Sequence, residues 1–275
     1  MNQQPDKERI EHELAAGGFP DVQVHSFSQL ESTSVWLREQ YMSGDATPDS
    51  FAKHLCVTDW QTAGIARRGR TWQTKPGNVT FSILSSTETA AKDMLGLSLV
   101  TGIGVADCLK RNAAINVQLK WPNDVLVKNT KLGGLLTEIN SQMNRDSQSS
   151  VNQVLTGIGI NFLHDSDVLN LGIGATSLES EGVTPDTQQR DGLVGKLAAS
   201  VIGAHQQFFE LGWGAFSERW ESLDWLFNKE VMIHSQQSTE QGIARGVNEH
   251  GALLIERSGT TYPVYGGNVS IRPTA

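Results

Sequence analysis

The sequence predicts an α+β fold, in which a mixed sheet with flanking helices is followed by a small C-terminal β-barrel. Two observations predict it. Between residues 22 and 211, short strand-like runs alternate with stretches that carry apolar residues at helical spacing. After Trp225 only short strand-like runs remain, separated by turn-prone residues. We therefore expect one unit over residues 1–225, in which 1–21 form an N-terminal helical extension, and a barrel over 226–275.

The overall composition limits the classes of protein to consider. The 275 residues are 38% hydrophobic and 19% charged, which is typical of a folded chain with one large core and a small satellite. The net charge of -8 argues against a large nucleic-acid footprint, because such a footprint needs clustered positive charge. Cys56 and Cys108 lie in apolar stretches without metal-binding spacing, so we expect reduced core thiols and a cytoplasmic location. No signal segment and no apolar run of about 20 residues is present, so no membrane partner is expected.

The first half of the chain predicts short helices and strands in alternation. A helix over 5–16 has Pro5 and Asp6 at its start, Ile10 and Leu14 on one face, and two glycines after its end. A DNA-binding domain needs about three helices and a basic recognition face, so this single acidic helix predicts no operator-binding module. Further predicted elements are a strand at VQVHSF, a helix near 34–42, and strands at LCVT and NVTFSIL.

The second half predicts two longer helices that cover a sheet. Residues 92–112 carry Leu95, Leu99 and Ile103 at helical spacing, and residues 192–211 repeat the pattern. The glycines at 102 and 104 fall inside the first of these helices and indicate close helix packing. Four runs between the helices are predicted as central strands, with a polar loop at 141–153: VQLKW, DVLV, LGGLLTEI and VLTGIGINF. The barrel strands are predicted at KEVMIH, GIARGV, ALLIER, TYPVY and NVSIR.

An arginine-rich loop is the first candidate for chemistry. Residues 64–70 hold three arginines and two glycines, with Gln61 before them and Trp72 after them. Such a loop can fold over anionic groups, because guanidinium forks and close backbone approach suit phosphate oxygens. A solvated basic loop is the alternative, and the two flanking tryptophans, Trp60 and Trp72, argue against it.

The second candidate is Lys120 in the segment Lys-Trp-Pro-Asn-Asp, at the end of an apolar strand. A second lysine and two glycines return at 131–134, and a lysine opposite glycines can stabilise charge that builds in a transition state. The alternative is a strand-end lysine that reaches water. Ser32-Thr33-Ser34 is typical of a helix N-cap. Gly157-Ile-Gly-Ile-Asn161 lacks the third glycine of a dinucleotide fingerprint, and the sequence holds no zinc or serine-hydrolase motif.

Taken in order, these motifs resemble the catalytic core of the bacterial biotin protein ligases. The family pattern S-T-N, Q-x-A-G-R-G-R-R-G-R-x-W, K-W-P-N-D, K-L-x-G-I-L-x-E and G-x-G-I-N is matched here by STS, QTAGIARRGRTW, KWPND, KLGGLLTE and GIGIN. The C-terminal run is similar to the family's small SH3-like barrel, and the resemblance covers roughly residues 24–272. Residues 1–225 would then be the catalytic ligase domain.

The resemblance implies an ATP-dependent, AMP-forming reaction. Biotin and ATP, with Mg²⁺ on the ATP phosphates, would give biotinyl-5'-AMP, and a lysine of the biotin carboxyl carrier domain of acetyl-CoA carboxylase would then accept biotin. Lys120, Arg67 and Arg70 would be the catalytic residues. The implied biotin-side contacts are Ser32, Thr33, Ser34, Gln61, Ile65, Ala66, Arg67, Trp72, Lys120, Gly133, Gly134 and Gly157. The implied ATP-side contacts are Arg70, Asn123, Lys131, Asn161, Ala175 and Ser177.

The sequence departs from the family pattern in the arginine loop and after Ser32-Thr33. Ile65 and Ala66 replace an arginine and a glycine of the loop, and Ser34 replaces an asparagine. Ile65 and Ala66 leave open a biotin-binding protein with reduced turnover, and the shared chemistry leaves open a lipoate or octanoate ligase or transferase of the same superfamily. The missing DNA-binding module implies a ligase that is not a repressor, and a homodimer is compatible with the resemblance.

Overall fold

The computed structural model describes residues 3–42, 53–143, 150–165, 174–234, 238–266 and 270–274. In these ranges the helices are α1 (Lys7–Ala16), α2 (Thr33–Tyr41), α3 (Leu97–Ala113), α4 (Thr187–Leu211) and α5 (Ser217–Leu223). The strands are β1 (Gln23–Leu30), β2 (His54–Gln61), β3 (Gly64–Ile65), β4 (Thr71–Trp72), β5 (Val79–Thr87), β6 (Gln118–Lys120), β7 (Asp124–Val127), β8 (Thr130–Met143), β9 (Ser150–Ile160), β10 (Glu230–His234), β11 (Thr239–Val247), β12 (Leu253–Arg257), β13 (Thr260–Val264) and β14 (Ser270–Pro273).

A mixed sheet with the order β1-β2-β5-β9-β8-β7-β6 organises the first part of the chain. Strands β1 and β2 are parallel, and the remaining neighbours are antiparallel. The runs LGGLLTEI and VLTGIGINF form β8 and β9 in the interior of the sheet, as predicted. Of the predicted polar loop at 141–153, residues 144–149 lie outside the described residues.

The prediction of a central strand is wrong for VQLKW, which forms β6 at one edge of the sheet, whereas DVLV forms β7 between β6 and β8. Their apolar side chains are buried by the helical layer instead of by further strands. Leu119 of β6 is buried and packs against Gly102 of α3. Its carbonyl accepts a hydrogen bond from the backbone N–H of Trp225 (2.9 Å), so that the segment after α5 covers the sheet edge.

Helices cover both faces of this sheet. On one face α3 and α4 pack together, and Gly104 permits this because a Cβ there would lie 3.2 Å from the α4 backbone. Helix α1 joins the same core through Ile10 and Leu14, which are both buried. On the other face α2 packs with Leu37 against Leu84 and two further buried side chains, Cys56 and Leu155. Cys56 and Cys108 are free and buried, as predicted.

Helix α3 begins later than the sequence predicts. A short 3-10 turn at Ala91–Met94 precedes it, and Leu95, which the helical spacing places on the buried face, is 53% exposed. The physical reason is Gly96, where two other parts of the chain come very close. A Cβ at Gly96 would lie 3.0 Å from the Trp213 ring, and one at Gly251 would lie 2.8 Å from the Gly96 Cα.

The C-terminal strands form an antiparallel sheet with the order β13-β12-β11-β10-β14. This arrangement is that of a small SH3-like unit, as predicted, although no pairing between β13 and β14 closes a barrel among the described residues. Residues 268 and 269 of the predicted last strand lie outside those residues. Trp121 Nε1 donates to the Gly251 carbonyl (3.0 Å) and joins this sheet to the larger one. No helix in the described ranges has the length and apolarity needed to span a bilayer.

Candidate active site

A cavity opens on the α2 face of the large sheet, above strands β5, β8 and β9. The N-terminus of α2 forms one wall, and the β3–β4 hairpin with its arginine loop forms another. The structure brings many of the predicted residues together here. These are Ser32, Thr33, Ser34, Gln61, Ile65, Ala66, Arg67, Arg70, Trp72, Asn123, Lys131, Gly134 and Gly157.

Hydrogen bonds fix the polar side chains at the start of α2. Ser32 is the N-cap, and its hydroxyl accepts from the backbone N–H of Val35 (3.4 Å). Gln61, at the end of β2, accepts at Oε1 from the backbone N–H and the hydroxyl of Thr33 (2.8 and 3.0 Å). Because these groups are buried and already oriented, they can recognise a neutral polar ring that carries both donors and acceptors.

Two hydroxyl residues of β5 on the cavity wall, Thr80 and Ser82, were not predicted from the sequence. The Ser82 hydroxyl lies 2.7 Å from that of Thr33 and 2.8 Å from that of Ser34. The buried Thr80 hydroxyl lies on the cavity wall and has no hydrogen-bond partner among the described residues. The strict alternation from Val79 to Ile83 was the signal that could have found them, because it places Thr80 and Ser82 on the same face.

The arginine loop is held as a short hairpin. Gly64 pairs with Trp72, and the Ala66 N–H donates to the Arg70 carbonyl (2.8 Å). Arg67 donates through Nη1 to Asn123 Oδ1 (3.1 Å) and through Nη2 to the carbonyl of Gly266 in the C-terminal part of the chain. Burial, and then the charge of Arg68, lowers the Arg67 pKa, although a guanidinium remains charged at neutral pH. The exposed Arg70 donates from Nε to the Arg67 carbonyl (3.4 Å).

Trp72 occupies much of the space above the sheet. Its indole lies directly on Gly159, where a Cβ would be 2.5 Å from the ring, and it also covers Gly134. The remaining cavity measures about 60 Å³. Pockets for small molecules usually begin at roughly 300 Å³, so Trp72 and its hairpin must withdraw before a substrate enters.

Lys120 does not line this cavity. Its side chain is only 8% exposed, and its ammonium lies 5.8 Å from the centre of the Trp225 ring. Asp124 pairs with Lys120 across β6 and β7, lines the cavity, and accepts a hydrogen bond from Lys131 Nζ. Burial lowers the Lys120 pKa and the Asp124 charge partly opposes the shift. Lys120 therefore lies next to the Asp124–Lys131 pair at the edge of the cavity.

Four other predicted residues are also placed away from the cavity wall. Asn161 donates from Nδ2 to the Thr176 carbonyl (3.0 Å), and the fully buried Ser177 hydroxyl accepts from the Ser180 N–H (3.1 Å). Ala175 bridges to Lys131 of β8. Gly133 is required by packing, since a Cβ would lie 2.5 Å from the Gly159 carbonyl oxygen. These groups hold the segment after β9 against β8, and their contacts with a ligand stay predictions.

Comparison with known proteins places the chain in a family. Residues 29–161 match the model of the biotin/lipoate A/B protein ligase family. The chain is 32% identical to the bifunctional ligase/repressor BirA of Salmonella typhimurium over 274 residues, which cover 97% of this chain and 78% of that protein. The chain belongs to the biotin/lipoate A/B protein ligase family.

Further members of the family support this assignment along most of the chain. The biotin–[acetyl-CoA-carboxylase] ligase of Mycobacterium tuberculosis is 28% identical over 271 residues, covering 96% of this chain and 94% of the relative. The biotin protein ligase of Aquifex aeolicus, solved in complex with biotin and ATP, superposes with a TM-score of 0.74 at 25% identity, covering 93% of this chain and all of that one. The fold prediction and the family resemblance are thus confirmed.

A cluster of buried charged residues, which the sequence did not reveal, supports the segment between β4 and β5. Asp59 accepts from the Gly77 N–H (3.0 Å) and from Arg190 Nη1, and Arg190 also donates from Nε to Asp191 (2.8 Å). All three charged side chains are buried. Buried charges are retained only when they are paired and hydrogen-bonded, so this group anchors the hairpin's base to α4. Because Asp59 lies within an apolar strand pattern, its partner on α4 cannot be read from the sequence.

Proposed function

We propose that the protein is an ATP-dependent biotin protein ligase. It forms biotinyl-5'-AMP from biotin and ATP and then transfers biotin to a lysine of a biotin carboxyl carrier domain. The observation that carries this proposal is the convergence of the α2 hydroxyl cluster and the arginine loop on one cavity. Two relatives of the chain are named biotin–[acetyl-CoA-carboxylase] ligases, which supports a carboxylase as the source of the acceptor.

In the first step a carboxylate oxygen of biotin attacks the α-phosphorus of ATP, the bond to the β-phosphate oxygen breaks, and pyrophosphate leaves. The ureido ring of biotin would lie against Thr33, Ser34 and Gln61, whose buried hydrogen bonds fix their orientation. Arg67, Arg70 and the nearby Lys120 would neutralise the charge that concentrates at the α-phosphate in the transition state. Lys131 and Asn123 would contact the nucleotide from the opposite wall.

In the second step the neutral amine of the acceptor lysine attacks the acyl carbonyl of the adenylate. The carbon–oxygen bond to AMP breaks, AMP leaves, and the new amide nitrogen loses a proton. The mixed anhydride is open to hydrolysis until the lysine arrives. After the substrates have entered, the hairpin and Trp72 would close over the adenylate and exclude water during this interval.

The residues of the cavity fit a magnesium ion that is carried by the nucleotide. Mg²⁺ usually binds phosphate oxygens with one or two carboxylates and keeps several waters. Asp124 is the single carboxylate on the described part of the cavity wall, and it already accepts from Lys131. When bound, the ion would neutralise phosphate charge, and Asp124 is the residue that would approach it.

The proposal extends to the organisation and partners of the chain. The two sheets support a catalytic unit of residues 1–225 and a C-terminal unit of 226–275. The packing of α1 into the core and the charge of -8 support a protein that does not bind nucleic acid. The free buried cysteines support a cytoplasmic location. A homodimer is the assembly to be tested by sedimentation.

Pyrophosphate exchange into ATP tests the proposed reaction, with biotin, lipoate and octanoate offered separately. We expect exchange that depends on biotin, because lipoate and octanoate lack the ureido ring that the hydroxyl cluster would bind. Exchange with octanoate but not biotin would assign the chain to acyl ligases of the same family. Absence of exchange with every acid would indicate a binding protein without turnover.

A further inference from the structure

The hydroxyl of Thr80 is an unused polar group in the wall of the active-site cavity. Thr80 is 3% exposed, and its hydroxyl has no hydrogen-bond partner within the described ranges. It lies on the same face of β5 as Ser82, because alternate residues of a strand point to the same side of the sheet. A buried hydroxyl without a partner destabilises a folded chain, and valine, which has nearly the same shape, would avoid this cost. The presence of the hydroxyl is explained if a ligand supplies its partner.

The floor of the cavity contains two rows of paired residues. In the first row Ser82 of β5 pairs with Gly157 of β9, and in the second row Thr80 pairs with Gly159. Same-face residues of a strand are about 6.6 Å apart, so the Thr80 hydroxyl lies one row away from the Ser82 hydroxyl. The Trp72 indole covers Gly159 in the second row. Once Trp72 withdraws, a ligand that fills the space above Gly159 lies beside Thr80.

The second row extends from Thr80 toward the cationic side of the cavity. From Gly159 it continues through Gly134 of β8 to Asp124 of β7. Asp124 accepts a hydrogen bond from the Lys131 ammonium. Neighbouring strands are about 4.8 Å apart, so Thr80 and Asp124 lie at opposite ends of this row, roughly 14 Å from each other. A carboxylate or phosphate that is held by Lys131 is therefore out of reach of the Thr80 hydroxyl.

Biotin has one polar atom that suits this position. Its ureido ring carries a carbonyl and two N–H groups, which Thr33, Ser34 and Gln61 would bind, and its side chain ends in the carboxylate that must reach the cationic side chains. The ring that is fused to the ureido ring carries a single heteroatom, a thioether sulfur, on the side opposite the ureido carbonyl. A thioether sulfur is a weak hydrogen-bond acceptor.

We propose that Thr80 is a specificity-determining residue, whose hydroxyl donates a hydrogen bond to the ring sulfur of biotin. This assignment rests on the proposed function and deepens it. With the ureido ring over the first row, the fused ring lies over the second row, and its sulfur comes beside Thr80. A site with a buried donor discriminates against a ligand that lacks the acceptor, because the donor is then left without a partner. The cavity therefore recognises the sulfur-containing ring as well as the ureido ring.

The test changes the ring heteroatom and the residue together. Pyrophosphate exchange with the full-length protein gives the KM for biotin and for the analogue that has CH₂ in place of the sulfur. In the parent protein the KM for the CH₂ analogue should be about three- to tenfold higher than that for biotin, the effect of losing one hydrogen bond. Thr80→Val should raise the KM for biotin by a similar factor and leave the KM for the CH₂ analogue nearly unchanged. Thr80→Ser, which keeps the hydroxyl, should retain the preference for biotin.

Thr156→Val is the matched control. Thr156 is fully buried in β9, and its hydroxyl also has no partner in the part of the chain that the structure describes. Because side chains alternate along a strand, Thr156 points to the face of the sheet opposite the cavity-facing position of Gly157. This variant should leave the KM for both acids nearly unchanged. Urea denaturation should show that neither valine variant is less stable than the parent protein.

The outcomes of the test are distinct from one another. Equal changes in KM for both acids in Thr80→Val overturn the assignment, as does a rise in the KM for ATP alone, which would place Thr80 at the nucleotide. A less stable Thr80→Val also overturns it, since the hydroxyl would then serve the folded chain itself. If the parent protein shows no exchange with biotin, the proposed reaction fails. Calorimetric binding of biotin and of the CH₂ analogue to the parent and to Thr80→Val then tests the contact by itself.

Discussion

At the scale of single residues, Gly157 sets the space available to the hydroxyl cluster. A Cβ at this position would lie 3.1 Å from the Ser34 hydroxyl and 3.6 Å from that of Ser82. Gly157→Ala should displace the Ser34 hydroxyl and raise the KM for biotin by about tenfold, the loss of roughly one hydrogen bond, with little effect on the KM for ATP. Pyrophosphate exchange measures both constants. Gly214→Ala is the control, because nothing lies within 4 Å of its Cβ, and equal effects on both substrates would contradict the assignment.

Lys120 carries the strongest prediction about catalysis. Lys120→Ala should slow adenylation by about 10²–10³, the usual cost of losing one oriented charge-stabilising group. Burial lowers the Lys120 pKa, so the parent rate should fall as alkaline pH removes the proton, and the variant should lose this dependence. Single-turnover formation of the adenylate measures both effects. Lys229→Ala is the matched control, since the Lys229 ammonium also lies near Trp225, 3.6 Å from the centre of the ring. A change below threefold for Lys120→Ala would show that Lys120 does not have this role.

At the scale of elements, the packing of α2 on the sheet fixes the position of the hydroxyl cluster at its N-terminus. The buried Leu37 packs against Leu84 and Leu155 and fixes the helix on the sheet. Leu37→Ala should lower the free energy of unfolding by about 2–5 kcal/mol, because a cavity forms in a well-packed site. Urea denaturation measures it, and the KM for biotin should rise as the helix loosens. Leu211→Ala, at a side chain 63% exposed, should change stability little, and a similar loss there would refute the packing argument.

The elements also show which features can be read from the sequence. Periodicity located the strands and helices, and the order of the motifs located most of the cavity wall. Side-chain direction could not be read in this way. The Lys120 ammonium lies near the Trp225 ring, and the Asn161 amide donates to the Thr176 carbonyl. In each case the direction of the side chain depends on a contact that local sequence does not reveal. The edge position of β6 could not be predicted either. An apolar strand can be buried by a layer of helices or by strands on both sides, and the sequence pattern is the same in both cases.

At the scale of the whole molecule, two histidines link stability to pH. Burial lowers the pKa of His25 to about 4, with help from His54, and lowers that of His205 to about 4. The unfolded chain takes up these protons near pH 6.5, whereas the folded protein resists them down to about pH 4. The free energy of unfolding should therefore fall as pH decreases through this window.

Denaturant titrations at several pH values between about 7.5 and 4 check this prediction. His205→Gln should flatten the dependence, since it removes a buried titrating group whose ring nitrogen lies 2.8 Å from the Thr101 hydroxyl. His12→Gln on the exposed face of α1 is the comparison. A stability that stays constant down to pH 4 in the parent protein would show that the two rings are protonated in the folded state.

The contact between Arg67 and the Gly266 carbonyl has a thermodynamic consequence for the whole chain. Withdrawal of the hairpin breaks this contact. The free energy of the contact therefore couples opening of the hairpin to detachment of the C-terminal sheet. By reciprocity, a ligand that closes the hairpin also tightens the C-terminal sheet, and by the same factor. Substrate binding in the cavity can then be detected as a change in the stability of the C-terminal sheet. Hydrogen exchange in β10 to β14 should slow when biotin and ATP bind, although neither substrate needs to contact those strands.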